Sequence, residues 1–326
     1  MTVDAQILSA MRRAGAGSVS GADLAQQLGM SRAAVWARIE ELRKLGYEIT
    51  ANPHQGYRLL STPDALHADD LLARLPDNQI VGRDIRVFEE TNSTNDVAEK
   101  LARDGVREGA VVFAESQKKG RGRLGRQWHS PARKGLWFSV LLRPDLRPQA
   151  ATQLTVVAAT ALARAIRKQT GLMPEIKWPN DILLRGKKVA GILTELSAEL
   201  DHVKHLIIGI GVDVNLTSTD LPADLRKLAT SLRIESGQPV ARPELAAAIL
   251  RELDADYARV RAGQFAAVAD EWEEQCTTLG RTVTIRIGDR AQTGVAESLD
   301  SEGALLLRTQ HGRLERIIGG DVTVEK

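Results

Sequence analysis

The chain has 326 residues, of which 43% are hydrophobic and 26% are charged, and its 44 lysines and arginines against 42 acids leave a net charge of +2. This composition is typical of a globular protein and excludes disordered and fibrous classes, while the length predicts two or three domains. The single cysteine, Cys276, excludes an internal disulfide and a cysteine metal cluster, and indicates a reducing compartment.

Neither a targeting segment nor a membrane span is expected. Residues 1–13 include Asp4 and lack the basic-then-apolar order of a signal peptide. The most apolar stretch, residues 150–166, contains polar residues and falls short of the roughly 18 uninterrupted apolar residues of a membrane span. It predicts a buried helix that ends at Gly171. We therefore expect a cytoplasmic protein without a membrane partner.

The first 60 residues predict a helix-turn-helix. Short helices are expected over residues 4–14 and 21–28, and Ser31 is placed to cap a third helix. Apolar residues share one face of that helix, and basic and aromatic residues occupy the other. A Gly, Pro and Asn turn between apolar strands follows at residues 47–60, where a winged helix-turn-helix has its wing. The alternative is that these helices form only an oligomerisation bundle. The candidate DNA-binding residues are Ser31, Arg32, Ala33 and Trp36.

The remaining chain divides into a larger and a smaller part. Strand and helix patterns interleave from about residue 63 to residue 275, which predicts an α+β or α/β core. Short strands separated by Gly and Asp turns follow from residue 276, and they predict a small β-barrel. The predicted domains are residues 1–62, 63–275 and 276–326.

Residues 116–135, here called the arginine loop, carry seven basic residues and no acid. The loop contains the pattern G-x-G-x-x-G, but Pro131 and the lack of helical periodicity exclude the helix that a dinucleotide fingerprint requires. It does not match the phosphate-binding loop of NTPases either. A glycine-rich loop with arginines is suited to closing over a phosphate or another anion when a ligand binds. The alternatives are a solvated basic loop or an RNA-contacting arm.

A second polar cluster lies in the motif EIKWPNDILL. Lys177, Asn180 and Asp181 stand at a predicted strand end, and the strand that follows begins at Lys188 after the Gly186 turn. A carboxylate, an amide and lysines are groups that hold Mg²⁺ and phosphate oxygens in phosphoryl and nucleotidyl transfer. The alternative is a turn with a salt bridge.

Two further motifs are candidates for ligand contact. The hydroxyl and amide side chains of residues 91–96 precede a predicted helix and suit a small polar ligand, or they form only a capping box. The motif GIGVDVN ends an apolar strand, where Gly209 and Gly211 permit close approach to a ligand, with a β-bulge as the alternative. The acid and histidines within residues 201–205 are expected to lie on the surface, and no transition-metal site is predicted.

The motifs STN, GRGRLGRQW, KWPND, KKVAGILTEL and GIGVDVN occur in this order behind the winged helix-turn-helix and before the small barrel. In this combination the chain closely resembles, over essentially its whole length, the bifunctional biotin protein ligases that double as biotin operon repressors. The resemblance implies an α+β protein with an N-terminal winged helix-turn-helix, a central catalytic domain similar to class II aminoacyl-tRNA synthetase cores, and an SH3-like C-terminal β-barrel.

The resemblance also implies a two-step reaction. Biotin and MgATP form biotinyl-5′-adenylate and pyrophosphate, and a lysine of the biotin carboxyl carrier protein of acetyl-CoA carboxylase then takes the biotinyl group. Biotin's carboxylate is already ionised, so the enzyme needs to position groups and neutralise charge rather than to activate a nucleophile. The same resemblance implies a repressor that uses biotinyl-adenylate as corepressor and binds biotin operator DNA as a homodimer.

The resemblance assigns roles residue by residue. The catalytic residues would be Arg123, Asp181 and Lys188, with Asp181 also holding Mg²⁺. The biotin-binding residues would be Ser93, Thr94, Asn95, Gln117, Arg121, Gly122, Arg123 and Lys188. The residues binding ATP and the adenylate would be Trp128, Lys177, Asn180, Asp213 and Asn215. The sequence departs from the family at Asp213, where many members have Asn, and an ionised aspartate only accepts hydrogen bonds.

Two other functions compete with this interpretation. A ligand-sensing transcription factor without enzymatic activity would use the same N-terminal domain, but would not need the arginine loop together with Lys188 and Asp181. A lipoate protein ligase would share the core fold and the adenylation chemistry. The GRGRLGR motif favours biotin, on the basis of resemblance.

Overall fold

The computed structural model describes residues 1–52 and 55–324, and the chain forms two compact units. The first unit comprises Met1–Asp77 with Ala241–Ala247, and the second comprises Asn78–Val240 with Ala248–Lys326. Across the described ranges, no helix combines the length and the apolar character that crossing a membrane requires.

The first unit contains the predicted helices and hairpin. Side-chain oxygens of Thr2, Ser20 and Ser31 accept hydrogen bonds from backbone N–H groups in the first turns of the helices that they precede, which explains where these helices begin. The strands of the hairpin pair antiparallel, and Pro53 and His54 of the predicted turn lie outside the described residues. The elements are α1 (Val3–Ala14), α2 (Gly21–Leu28), α3 (Arg32–Lys44), β1 (Glu48–Asn52), β2 (Gly56–Ser61) and α4 (Ala68–Ala73).

One face of α3 is buried and the other is exposed. Val35, Ile39 and Leu42 pack into the core of the first unit, as the periodicity predicts. Full burial of each such side chain contributes about 1.5–3 kcal/mol. On the opposite face Trp36 is 55% exposed. The other predicted DNA-binding residues, Ser31, Arg32 and Ala33, are also exposed.

The second unit is built on a mixed sheet with the strand order β3-β4-β5-β9-β8-β7-β6. Strands β3 and β4 are parallel, and the other neighbours are antiparallel. This arrangement agrees with the predicted α+β core. Its elements are β3 (Asp84–Thr91), α5 (Thr94–Arg103), β4 (Ala110–Gln117), β5 (Leu136–Leu142), α6 (Thr152–Thr170), β6 (Glu175–Lys177), β7 (Asp181–Leu184), β8 (Lys187–Glu199), β9 (His202–Val212), α7 (Leu232–Ser236), α8 (Arg242–Arg261) and α9 (Phe265–Gln275), except that the residues of α8 up to Ala247 belong to the first unit.

The longest apolar stretch forms the buried helix α6, as predicted. A 3₁₀ turn at Pro148–Ala151 leads into it, and most of its residues are buried. The helix ends where Gly171 adopts a left-handed conformation, with φ of 71°, and its N–H donates to the carbonyl of Arg167. The helix is therefore a core element of the second unit.

The C-terminal residues form an antiparallel sheet with the order β13-β12-β11-β10-β14. Val283, Ile285 and Leu307 are among the residues of its buried face. Strand β14 pairs with β10, and Asp321 at the start of β14 accepts a hydrogen bond from Arg126 of the arginine loop. The strands are β10 (Thr282–Ile287), β11 (Arg290–Leu299), β12 (Leu305–Thr309), β13 (Leu314–Ile317) and β14 (Asp321–Val324).

Candidate active site

A cavity of about 550 Å³ in the second unit brings together residues that are far apart in the sequence. Asn215 is not among its lining residues. The Asn215 amide instead donates to the carbonyl of Val240 and accepts from its N–H, both at 2.9 Å, so this side chain anchors backbone. The predicted site residues that line the cavity are Ser93, Thr94, Asn95, Gln117, Arg121, Gly122, Arg123, Trp128, Lys177, Asn180, Asp181, Lys188 and Asp213.

A hydrogen-bonded polar floor begins where β3 leads into α5. Gln117 Oε1 accepts from the backbone N–H and the hydroxyl of Thr94, at 2.9 and 3.2 Å. The Ser139 hydroxyl lies 2.7 Å from Thr94 Oγ1 and 2.5 Å from Asn95 Oδ1. A hydroxyl oxygen and an amide oxygen each have two lone pairs, so both retain the capacity to accept a hydrogen bond from a ligand N–H. Ser93 makes no capping hydrogen bond, so the capping-box alternative is wrong.

Gly209 and Gly211 make room for side chains of this chain. A Cβ atom at Gly209 would lie 2.3 Å from Asn95 Oδ1, and one at Gly211 would lie 2.5 Å from the Trp128 indole. The pairing of β8 with β9 is regular at both glycines, so the bulge alternative is wrong. The groups that closely approach these glycines are therefore the Asn95 and Trp128 side chains, which occupy the space beside the cavity that a Cβ atom would fill.

The arginine loop is held by acids from other elements. Its Arg123 has no carboxylate within 4.0 Å among the described residues, and contacts only the neutral oxygens of Asn180 Oδ1, at 3.2 Å, and the Gly320 carbonyl, at 3.4 Å. Burial lowers the pKa of this guanidinium, while Asp321 and Asp181 oppose that shift. The ion pairs of the rest of the loop are Lys118 with Glu90, Arg121 with Asp96 and Glu195, Arg126 with Asp321, Arg133 with Glu89, and Lys134 with Asp220.

The backbone of the loop folds into a tight turn. Arg121 and Gln127 form an isolated antiparallel bridge, and the N–H of Gly122 donates to the carbonyl of Arg126 at 2.7 Å. The residues between them, Arg123–Gly125, turn the chain sharply, and Leu124 adopts a left-handed backbone conformation with φ of 56°. The exclusion of a dinucleotide-binding helix after the glycine pattern is thus confirmed. The turn directs Arg123 into the cavity.

The KWPND motif and the strand after it supply the opposite wall. Lys177 and Asp181 are register partners in β6 and β7, and Lys188 Nζ lies 2.6 Å from Asp181 Oδ1. Lys188 Nζ is also 5.1 Å from the centroid of the Trp128 ring, a cation–π distance. The turn with a salt bridge, which was the alternative to a ligand site, therefore exists as the Lys188–Asp181 pair. This pair lines the cavity together with the Trp128 ring.

Asp213 is 6% exposed and lines the same cavity. Burial raises the pKa of its carboxyl well above the ordinary value, and the charge of Lys188 only partly opposes this. A protonated carboxyl both donates and accepts, as an asparagine amide does. The departure from the family pattern at Asp213 therefore preserves this hydrogen-bonding capacity while the carboxyl stays protonated.

Several residues at the site are not among those predicted from the sequence. Ser139 left a signal, because it is the polar residue within the buried strand β5. No sequence signal indicated Glu195 or Asp321. Glu195 hydrogen-bonds Asn95 and Asp321 pairs with Arg126, and these partners are 100 and 195 residues away in the sequence. The expected surface position of His205 is wrong, because this residue is 7% exposed and pairs with Glu99 outside the cavity. Residues 1–52 and 55–324 contain no cluster of three or more His, Cys, Asp or Glu able to hold a metal.

Models of known families match each part of the chain. Residues 5–58 match an HTH domain, residues 87–213 match the biotin/lipoate A/B protein ligase family, and residues 278–324 match the biotin protein ligase C terminal domain. The N-terminal helix-turn-helix, the central ligase domain and the C-terminal domain are thus confirmed as families.

Individual relatives extend over most of the chain. A Bacillus spizizenii protein named bifunctional ligase/repressor BirA is 38% identical over 321 residues, 98% of each chain. A Paracoccus denitrificans biotin--[acetyl-CoA-carboxylase] ligase is 37% identical, covering 68% of this chain and 93% of that protein. The Aquifex aeolicus biotin protein ligase in complex with biotin and ATP superposes with a TM-score of 0.63 at 30% identity, covering 75% of this chain and 99% of that one. The protein therefore belongs to the family of bifunctional biotin protein ligases and repressors.

Proposed function

We propose that this protein is an ATP-dependent biotin protein ligase and a repressor of the biotin operon. It forms biotinyl-5′-adenylate and transfers biotin to a lysine of the biotin carboxyl carrier protein of acetyl-CoA carboxylase. The observation that carries the proposal is one cavity in which a polar floor, the unpaired Arg123 and the Lys188–Asp181 pair meet. The named functions of the full-length relatives support both activities.

In this proposal biotin lies with its ureido ring on the polar floor. Thr94 and Asn95 offer the ring hydrogen-bonding groups that Gln117 and Ser139 hold in place. The biotin carboxylate then points towards Lys188 and Arg123. Their positive charges stabilise the negative charge that grows on the α-phosphate as the carboxylate attacks it. Ser93, Arg121 and Gly122 complete the biotin-binding set.

The nucleotide occupies the other end of the cavity. Trp128 packs on the adenine, and Asp213 reads its edge while protonated. Lys177 and Asn180 face the phosphates from the KWPND turn. Asn215 has no part in this assignment, because its amide is engaged with Val240. Closure of the arginine loop protects the mixed anhydride from water.

Magnesium fits the Asp181 end of the cavity. Mg²⁺ in nucleotide sites is commonly held by one or two carboxylates together with substrate phosphates, and Asp181 offers one carboxylate beside the proposed phosphate position. The ion would neutralise phosphate charge there. Without the ion, Asp181 keeps Lys188 oriented, because Asp181 Oδ1 lies 2.6 Å from Lys188 Nζ.

The finer features of the architecture belong to the same proposal. The central domain, residues 63–275, is similar to class II aminoacyl-tRNA synthetase cores, residues 276–326 form an SH3-like barrel, and residues 1–62 form the winged DNA-binding domain. Adenylate binding favours a homodimer, which presents two copies of helix α3 to a two-fold operator. The exposure of Trp36 and the residues at the start of α3 supports DNA contact by this helix.

Pyrophosphate exchange into ATP tests the ligase. We expect exchange by the purified protein with biotin, and none with lipoate or without an acid. Exchange with lipoate alone would favour a lipoate ligase, which the matched family also includes. Failure to exchange with either acid, in protein shown to be folded, would favour a ligand sensor without enzymatic activity.

A further inference from the structure

We propose that Glu195 is a positioning residue that couples the polar floor of the cavity to the arginine loop. The inference rests on the proposed function, because it assigns these two regions to biotin and to the adenylate. Glu195 lies on β8 and its carboxylate oxygens have different partners. Oε2 accepts from Asn95 Nδ2 at 2.8 Å, and Oε1 lies 3.3 Å from Arg121 Nη2.

On the floor side, Glu195 decides which way the Asn95 amide faces. Because Nδ2 donates to a carboxylate, Oδ1 is directed to Ser139 and lies against Gly209, where no Cβ atom fits. A hydrogen bond to a charged acceptor is stronger than one between neutral groups. Asn95 is almost fully buried, and its amide N–H donates to Glu195. Glu195 thus keeps the Asn95 carbonyl available as an acceptor on the floor.

On the loop side, Glu195 holds the base of the turn that carries Arg123. Arg121 sits between Glu195 and Asp96, which lies 2.7 Å from Arg121 Nη1. Arg121 is also one half of the antiparallel bridge with Gln127, and Arg123 lies within the turn that this bridge closes. Fixing Arg121 therefore limits the movement of Arg123. A single carboxylate restrains both the floor and the loop.

Two substitutions of Glu195 distinguish its contact with Arg121 from its contact with Asn95. In Glu195→Gln the amide carbonyl still accepts from Asn95, but the group facing Arg121 becomes a donor, so only the loop contact is lost. Glu195→Ala removes both contacts. Glu199→Gln is the matched control, because Glu199 is an ion-paired carboxylate on the same strand that contacts Lys204 outside the cavity.

The kinetic measurements are KM for biotin, kcat, and the rate of biotinyl-adenylate release. For Glu195→Gln we expect KM within about twofold of the wild-type value and release about threefold faster, the scale of one partly exposed ion pair. For Glu195→Ala we expect KM about tenfold higher as well, because the Asn95 amide loses a charged partner. Equal KM for the two variants, or wild-type release by both, would overturn the coupling.

Tryptic cleavage of the ligand-free protein tests the loop side independently of the reaction. Cleavage within residues 116–135 should be faster in both Glu195 variants than in the wild type and in Glu199→Gln. If the wild type made no adenylate, the proposed function would fail, while this measurement would still decide whether Glu195 restrains the loop. Cleavage at the wild-type rate in both Glu195 variants would refute that restraint.

Discussion

Arg123 differs from the other arginines of its loop in what surrounds its guanidinium. Arg121, Arg126 and Arg133 each pair with a carboxylate, whereas Arg123 is half-buried and contacts neutral oxygens. A cation in this environment gains most from an anionic ligand, because burial weakens its solvation and no carboxylate in the described part of the chain contacts it directly.

Replacing Arg123 should therefore loosen retention of the adenylate while leaving the fold intact. For Arg123→Gly we expect release of biotinyl-adenylate to be at least about tenfold faster, the scale of one charge-assisted hydrogen bond. Arg133→Gly is the control, because Arg133 is an exposed, paired arginine whose φ of 60° suits glycine. Unchanged release in Arg123→Gly, measured in a dissociation assay, would contradict the assignment.

The raised pKa of Asp213 predicts a pH-dependent stability. Below the ordinary aspartate pKa of about 4, this carboxyl is protonated in both the folded and the unfolded chain. As the pH rises, the unfolded chain loses the proton first, so the free energy of unfolding falls until the pH passes the raised folded-state pKa. Asp213→Asn removes this loss, so the stability of the variant relative to the wild type should grow as the pH rises above the ordinary aspartate pKa, until the pH passes the raised folded-state pKa.

Urea unfolding of the two proteins at a series of pH values measures this effect. Asp270→Asn is the control, because Asp270 is an exposed carboxylate on α9 and its replacement should give no comparable growth. A stability difference for Asp213→Asn that stays constant with pH would show that the buried carboxyl does not retain its proton.

At the scale of single elements, strand β9 sets the positions of side chains at both ends of the cavity. Gly209 leaves space for Asn95, and Gly211, on the same face of the strand, leaves space for Trp128. Inserting a methyl group into such a close contact typically costs about 1–3 kcal/mol. The two glycines thus offer separate control of the proposed biotin and adenine regions.

The two alanine substitutions serve as controls for each other. Gly209→Ala should displace Asn95 and raise KM for biotin by roughly tenfold, with KM for ATP little changed. Gly211→Ala should displace Trp128 and raise KM for ATP instead. Circular dichroism checks that both variants fold. If both substitutions raised the same KM, the assignment of the two ends of the cavity would be wrong.

At the scale of the whole molecule, the proposed activities belong to different compact units. The candidate DNA-binding residues lie in the first unit and the cavity lies in the second. Trp36→Ala should therefore reduce operator affinity by about tenfold or more, a typical loss for an exposed aromatic at the centre of an interface, and should leave pyrophosphate exchange unchanged. Parallel loss of exchange would show that the substitution disturbs more than DNA contact.

The proposed corepression makes operator binding depend on the ligands of the ligase. In a gel shift with biotin operator DNA, the wild-type protein should bind more tightly when biotin and ATP are both present than with either alone. Operator binding that is indifferent to both ligands would reject biotinyl-adenylate as the corepressor.

The sequence by itself determined the features that depend on neighbours along the chain. Caps, apolar periodicity and glycine positions predicted the helices α1, α2 and α3 of the first unit and the buried helix α6, because a helix forms from contacts within a few residues. The short helix α4 was not predicted. The motifs likewise predicted most of the cavity lining, and their combined order carried the resemblance to the family.

Only the tertiary structure decided how those residues are partnered. Among the residues that the structure describes, no acid contacts Arg123, whereas the neighbouring Arg121 and Arg126 form ion pairs. The amide of Asn215 hydrogen-bonds Val240 and does not line the cavity. The tertiary structure also brought Glu195 to Asn95 and Asp321 to the arginine loop. The last two pairings join residues 100 and 195 positions apart, so they arise only when packing closes the intervening chain, and local sequence carries no record of them.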